Sequence, residues 1–262
     1  MPKFDGILLI SDWDGTLSFN NEINPKNIEK IKYFQENGGL FTICTGRYPE
    51  YLKENGYLDL ITPNTYILCL NGAIIQDMSS GEVLYSGGMD NNSLFAFDEV
   101  IENNFKFGNL LYYTIGSGKA TAYTKEEYLK AKSKLSPKNT HKLLITTSEE
   151  GEAIAIRDFL RERMGSDYEV MRSWATGIEI IYKENSKGVA IKRLKEITGA
   201  KTVVTVGDYE NDLSMLVSAD ISYAVENAVE EAKRAAKRGA PHVRDGALAF
   251  IIDELENNSA LN

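Results

Sequence analysis

The chain has 262 residues, 43% hydrophobic and 26% charged, which excludes a disordered protein and is long enough for two domains. Its net charge of -9 argues against non-specific binding to nucleic acid or to an anionic membrane surface. A phosphorylated small molecule stays open as a partner, because a bound cation and a few local bases can reverse the sign inside a pocket.

The apolar run Ile7–Ile10 reads as a buried strand and leads directly into Ser11-Asp12-Trp13-Asp14-Gly15-Thr16-Leu17. The preceding Met1–Gly6 segment with this short run is neither a signal peptide nor a spanning helix, so a cytoplasmic location is expected. Pro25–Asn37 reads as a helix, with Asn24 as N-cap, Pro25 at the first helical position and Gly38-Gly39 as terminator. Leu40–Cys44 is a second strand, Pro49–Glu54 a short helix and Tyr66–Leu70 a third strand, the rhythm of a parallel sheet. Asn71-Gly72 starts a turn, and Ala73–Gln76 with Glu82–Ser86 forms a hairpin. Cys44 and Cys69 sit inside these apolar runs as small buried hydrophobes, with no disulfide framework.

The middle changes character. Strand-like runs at Leu110–Ile115, Lys119–Tyr123, Lys142–Thr146, Tyr168–Met171 and Ile178–Tyr182 surround helical patterns at Ser93–Asn103, Lys125–Lys134 and Glu149–Met164. Turns at Gly116-Ser117-Gly118 and Ala175-Thr176-Gly177 favour antiparallel pairing, so this stretch is expected to be an α+β unit inserted into the first domain. The parallel rhythm then returns. Ser186 caps a helix through Thr198, Thr202–Val206 and Ile221–Val225 are strands, and Asn211–Ser218, Ala228–Arg238 and Ala247–Glu256 are helices before a frayed tail. The expected fold class is α/β, a Rossmann-like parallel-sheet core of residues 1–85 and 185–262 with an inserted α+β domain of residues 86–184.

Four features carry chemistry. Asp12 and Asp14 end a buried strand, where carboxylates can hold a divalent metal and one of them can attack an electrophile. Val203–Val206 runs into Gly207-Asp208-Tyr209-Glu210-Asn211-Asp212, so Asp208 adds a third oxygen ligand of the kind Mg2+ takes. For Asn211 and Asp212 helix capping is the plain alternative. Phe41–Cys44 ends in Thr45-Gly46-Arg47, a hydroxyl, a backbone N–H and a guanidinium suited to phosphate, with a helix cap and a surface arginine as the competing reading. Lys187, in Ser186-Lys187-Gly188, opposes the dipole at a helix start, which an anion nearby would explain and a solvated lysine would not need.

Together Asp12-Trp13-Asp14-Gly15-Thr16, Thr45, Lys187 and Gly207–Asp212 resemble the four ordered motifs of the haloacid dehalogenase superfamily. More narrowly they resemble its Cof-type phosphatases with a type-2B cap, and Asn71-Gly72-Ala73, Ser186-Lys187-Gly188 and Glu226-Asn227-Ala228 match that subgroup as well. Trp13 departs from the smaller residue usual there. The resemblance implies Asp12 as nucleophile, Asp14 as general acid and base, and Thr45, Gly46 and Lys187 as phosphate ligands. It implies Mg2+ held by the Asp12 side chain, the Asp14 carbonyl and Asp208, with Asn211 and Asp212 supporting or joining them. The implied activity is hydrolysis of a small phosphorylated metabolite such as a sugar phosphate. A phosphotransferase or sugar-phosphate mutase would use the same residues, and a phospholigand-binding protein that had lost catalysis is a third reading. The implied cap would choose the leaving group, with Arg47, Glu179 and, in the turn region Arg172-Ser173-Trp174, Arg172 and Trp174 as candidate substrate contacts. Trp174 as a hairpin aromatic and Arg172 as a solvated cation are the alternatives. Lys125, Lys130, Lys132, Lys134 and Lys138 read as a solvated helix face, and His141 and His242 as structural or exposed.

Overall fold

The computed structural model describes residues 2–89, 93–114, 120–135 and 140–257. The turn at Gly116-Ser117-Gly118, the strand ends at Ile115 and Lys119, Lys138 and residues 258–262 of the tail lie outside the described residues. The chain divides into two compact units, residues 1–84 with 187–262 and residues 85–186.

The first unit is built on a five-stranded parallel sheet. Its order is Arg238–Ala240, Ile221–Val225, Thr202–Gly207, Ile7–Ser11 and Leu40–Ile43. Ile7–Ser11 and Ile221–Val225 are buried along their whole length, which is why Ile7–Ile10 reads as an apolar run without polar alternation. The strand Ile7–Ser11 sits between a strand that follows it in sequence, Leu40–Ile43, and one nearly two hundred residues later, Thr202–Gly207. The winding reverses there, and the carboxyl ends at such a point are where ligands bind in open α/β sheets. Register sets the site: Ser11 lies beside Val206 on one side and Ile43 on the other. Asp12, Asp208 and Thr45 therefore leave three neighbouring strands at nearly the same level.

The helix Pro25–Glu36 starts as its sequence dictates, with the Asn24 side chain accepting from the Lys26 N–H at 2.9 Å. Its Ile31 and Phe34 join Leu248, Ile251, Ile252 and Leu255 of the helix Ala247–Asn257 in the core that also receives Ile7 and Leu9.

Three local readings in this unit differ from the observed chain. The run at Tyr66–Leu70 forms a strand only over Ile67–Cys69, and it pairs antiparallel with Ile74–Gln76 in a separate three-stranded sheet. One isolated parallel bridge, Cys44 to Leu68, links it to the main strands. The helix expected over Ala228–Arg238 covers Glu230–Ala235, and Arg238–Ala240 becomes the edge strand. The helix expected from Asn211 begins at Leu213, after a 3₁₀ turn over Glu210–Asp212.

The second unit carries a five-stranded antiparallel sheet in the order Tyr168–Trp174, Gly177–Tyr182, Thr140–Thr146, Leu110–Thr114 and Ala120–Tyr123. Arg172-Ser173-Trp174 is strand rather than turn, since Arg172 pairs with Ile178 and Trp174 with Gly177. The helices Phe95–Glu102, Lys125–Ala131 and Glu150–Arg163 pack Phe97, Tyr128, Ile156 and Leu160 against Leu143, Ile145, Ile178 and Ile180. A capping box between Thr124 and Glu127 begins the second of these helices.

Candidate active site

Asp12 is the first residue past its strand. Its N–H still donates to the Val206 carbonyl at 3.0 Å, so its backbone is fixed by the sheet. The chain then turns back on itself, with the Leu17 and Ser18 N–H groups donating to the Trp13 carbonyl at 3.1 and 2.8 Å. That turn delivers the Thr16 hydroxyl to Asp208 Oδ1 at 2.6 Å. Gly15 is indispensable to it: its φ is +82°, and a Cβ would lie 2.5 Å from Asp208 Oδ2. Trp13 is fully buried with its ring 4.9 Å from that of Tyr57, so the bulky residue serves packing.

Lys187 is completely buried at the start of the helix Lys187–Thr198. Its ammonium donates to Asp12 Oδ1 at 2.5 Å and to Asp212 Oδ1 at 2.6 Å. The other Asp212 oxygen accepts from the N–H groups of Asp208 and Tyr209 at 2.8 and 3.0 Å. Asp212 is thus largely occupied in shaping the Asp208–Tyr209 turn. Gly207 allows its approach, because a Cβ there would meet the Asp212 Cβ at 2.7 Å.

Asp12, Asp208 and Asp212 each offer an oxygen within 4.8 Å of the others, and all three are buried. Three carboxylates face one ammonium. Burial pushes the Asp12 carboxyl well above its ordinary value, Lys187 opposes this, and Asp212 and Asp208 add to it. Burial, then Asp212, push Asp208 up to about 7, against the Thr16 hydrogen bond and Lys187. Burial alone would drive Lys187 toward the neutral amine, but Asp12 and Asp212 outweigh it and hold it well above its usual value. The donor set is hard, oxygen-only and short of positive charge, which fits a divalent cation.

Thr45 is buried at the end of Leu40–Ile43, and its hydroxyl accepts from the Arg47 N–H at 3.1 Å. Gly46 is half-buried beside it. The Arg47 guanidinium holds Asp14 through both oxygens, Nε to Oδ2 at 2.8 Å and Nη2 to Oδ1 at 2.9 Å, and lies 4.3 Å from the centre of the Tyr51 ring. Asp14 raises Arg47 further above its already high value. The carboxylate of Asp14 therefore points to Arg47 and stands outside the buried cluster. Asn211 is buried next to Asp212 and donates from Nδ2 to Asn71 Oδ1 at 3.4 Å. Burial drives the Cys44 thiol up to about 12, so it offers no thiolate nucleophile here.

The candidate contacts of the inserted unit have local partners there. Arg172 donates to Glu150 Oε1 at 2.6 Å, and the Trp174 indole donates to the Thr176 hydroxyl at 3.1 Å. Glu179 accepts from Lys142 Nζ at 2.5 Å in a pair that is almost wholly buried. His141 is buried and bonded to the Gly87 carbonyl, and His242 accepts from the Arg244 N–H at 3.1 Å.

Asn227 was not singled out by its own chemistry. Its Nδ2 donates to the Gly15 carbonyl at 2.7 Å, its Oδ1 accepts from the Val243 N–H at 3.0 Å, and nearby the Val229 N–H donates to the Asp208 carbonyl at 2.9 Å. The available signal was its place just past Ile221–Val225, again at the carboxyl end of a parallel strand.

Comparison with known proteins gives a consistent result. The profile of the haloacid dehalogenase-like hydrolases matches residues 9–252. A candidate phosphatase of Haemophilus influenzae is 27% identical over 259 residues, covering 94% of this chain and 97% of that one. Among solved structures, a candidate HAD/COF-like hydrolase of Plasmodium vivax aligns with a TM-score of 0.78 at 22% identity, over 95% of each chain. A sugar phosphatase of haloacid dehalogenase subclass IIB aligns with a TM-score of 0.73 at 20% identity, over 94% of this chain and 98% of that one. At these identities the two structures speak for the fold.

Proposed function

The chain belongs to the haloacid dehalogenase-like hydrolases, and from that premise we propose that it is a Mg2+-dependent phosphomonoester hydrolase of small phosphorylated metabolites, with sugar phosphates the first class to test. The observation that carries this reading is the buried triad in which Lys187 bridges Asp12 and Asp212 beside Asp208.

In this reading an oxygen of the Asp12 carboxylate attacks phosphorus and the bond from phosphorus to the ester oxygen breaks. Asp14 gives that oxygen its proton, and the alcohol leaves. A water then attacks the aspartyl phosphate, Asp14 takes its proton, and inorganic phosphate departs with the Asp12 carboxylate restored. Thr45, the Gly46 N–H and Lys187 bind the phosphoryl oxygens and stabilise their charge. Asp12 and Asp208 would hold Mg2+, with the Asp14 carbonyl, and Asn211 lies close by. When bound, the cation screens the crowded anions and orients the phosphoryl group. Asp212 serves mainly to hold Lys187 and the Asp208 turn, as its three hydrogen bonds support. Asp14 accepts from Arg47 at both oxygens, so it must leave Arg47 to reach a leaving group.

The inserted unit supplies the choice of leaving group. Arg172, Trp174 and Glu179 each have a partner within that unit, at its helix start, its hairpin and its buried Lys142. The net charge of -9 speaks against nucleic acid as substrate. Among the described residues no helix is long and apolar enough to cross a membrane. We place the enzyme in the cytoplasm.

The test is phosphate release from sugar phosphates, nucleotides and cofactor phosphates, with Mg2+ and with chelator, for wild type and Asp12→Asn. Metal-dependent release that the variant loses supports the reading. Transfer to an added alcohol or sugar in preference to water would replace it with a phosphotransferase. Absence of both reactions would leave a binding protein.

A further inference from the structure

Leu70 and Asn71 are consecutive non-glycine residues in the left-handed region, with φ of 49° and 61°, and both are buried. Side chains make this conformation costly, and a pair of such residues persists only where the surroundings over-determine it. Here the surroundings are the candidate site. The Leu70 N–H donates to the Arg47 carbonyl and the Asn71 N–H to the Thr45 carbonyl, each at 2.9 Å. These two bonds grip the first and last residues of Thr45-Gly46-Arg47. On the other side, Asn71 Oδ1 faces Asn211 Nδ2 at 3.4 Å, long for an amide hydrogen bond but within reach.

We infer that Asn71 is a positioning residue that ties the phosphate-binding loop Thr45–Arg47 to the acidic loop Asp208–Asp212. Its backbone sets one loop and its side-chain oxygen meets the other. The consequence for turnover rests on the phosphomonoesterase reading; the tie itself does not. Asparagine meets both demands, since it enters the left-handed region more easily than other side chains and carries an acceptor. Glycine meets only the first and alanine neither, which makes the two substitutions a test.

Asn71→Gly, Asn71→Ala, Asn211→Ala and the double variant Asn71→Gly/Asn211→Ala are compared in two assays. The first is phosphate release from p-nitrophenyl phosphate with Mg2+. Asn71→Gly is expected to lower kcat at least about tenfold with KM within about threefold, and the double variant to fall no more than about twofold below Asn211→Ala. The second is thermal unfolding without metal. Asn71→Gly keeps its midpoint within about 2 °C of wild type, Asn71→Ala falls further, and Asn211→Ala costs less in the Asn71→Gly background than in wild type. An Asn71→Gly enzyme with wild-type kcat, or an Asn211→Ala cost that is the same in both backgrounds, overturns the inference and leaves Asn71 as a turn-former. If the wild type releases no phosphate, the phosphomonoesterase reading fails, and the unfolding comparison still decides the tie.

Discussion

Arg47 and Asp14 are joined as a two-toothed pair, 33 residues apart in sequence, with bonds of 2.8 and 2.9 Å. The arginine expected to face substrate is bound to the proposed general acid instead. The two roles separate by leaving group. Since Asp14 must be released from Arg47 before it can act as an acid, Arg47→Ala is expected to keep kcat/KM within about threefold of wild type, or raise it, for an alkyl phosphate, whose leaving oxygen needs a proton, and to change p-nitrophenyl phosphate less than about threefold. Equal losses on both substrates would show that Arg47 binds the phosphate. Both side chains are more than a third exposed, so the variant's stability should stay within about 1 kcal/mol of wild type.

Lys187→Met leaves Asp12 and Asp212 buried without their shared cation. Breaking such a pair from one side costs about 3–5 kcal/mol. Urea unfolding of the chelated variant should show that loss, and phosphate release should disappear. A variant as stable as wild type would mean that the two acids are protonated or solvated in the folded protein.

The raised Asp208 carboxyl has a consequence for stability against pH. With a folded value of about 7 against an ordinary 3.8, the folded state binds more protons than the unfolded state between those limits. Stability must then fall as pH rises through that window, the reverse of a salt-bridged carboxylate. The metal-free protein should lose melting temperature from pH 4 to pH 7 relative to Asp208→Asn. Parallel pH profiles for the two proteins would remove Asp208 as the cause.

The same substitution separates stability from activity. Asp208→Asn relieves crowding among three buried acids, so without metal it is expected to melt higher than wild type, by about 1–2 kcal/mol. Saturating Mg2+ should raise the wild-type melting temperature and leave the variant's nearly unchanged. Equal stabilisation of both by Mg2+ would place the cation elsewhere.

Asn227→Ala removes the donor to the Gly15 carbonyl and the acceptor for the Val243 N–H. Stability should drop by about 1–2 kcal/mol, and kcat should fall more than KM rises, since the loop carrying Asp14 loses its tether. A change in stability alone would make Asn227 a strut of the fold only.

What could be read from residues alone follows from physics that is local. An apolar run that stops at an acid announces a parallel strand and its functional end, so Asp12, Asp208 and Thr45 stood out before any contact was known. Strand direction is not local: Ile67–Cys69 is as apolar as its neighbours, and only tertiary pairing makes it antiparallel. Arg238–Ala240 has an arginine, a glycine and an alanine, with nothing to mark a strand, and it exists because Tyr223–Val225 offers an open edge. Arg172 looked like a turn residue because its strand runs on past Met171 through polar positions. The partners of Arg47, Asn71 and Asn227 lie far away in sequence, and a guanidinium or an amide in a loop carries no sign of whom it meets.

The sheet also dictates an order of events during synthesis. Ile7–Ser11, the first made of the five parallel strands, has Thr202–Gly207 as one of its two neighbours. When translation has reached Ser186, only two of the five parallel strands exist, while every strand of the antiparallel sheet has been made. The compact unit of residues 85–186 is therefore complete in sequence while the parallel sheet still lacks three of its strands. Lys187 follows Asp12 by 175 residues and Asp212 comes later still, so a truncated nascent product cannot assemble the site and a prematurely terminated one exposes an apolar edge to chaperones and proteases.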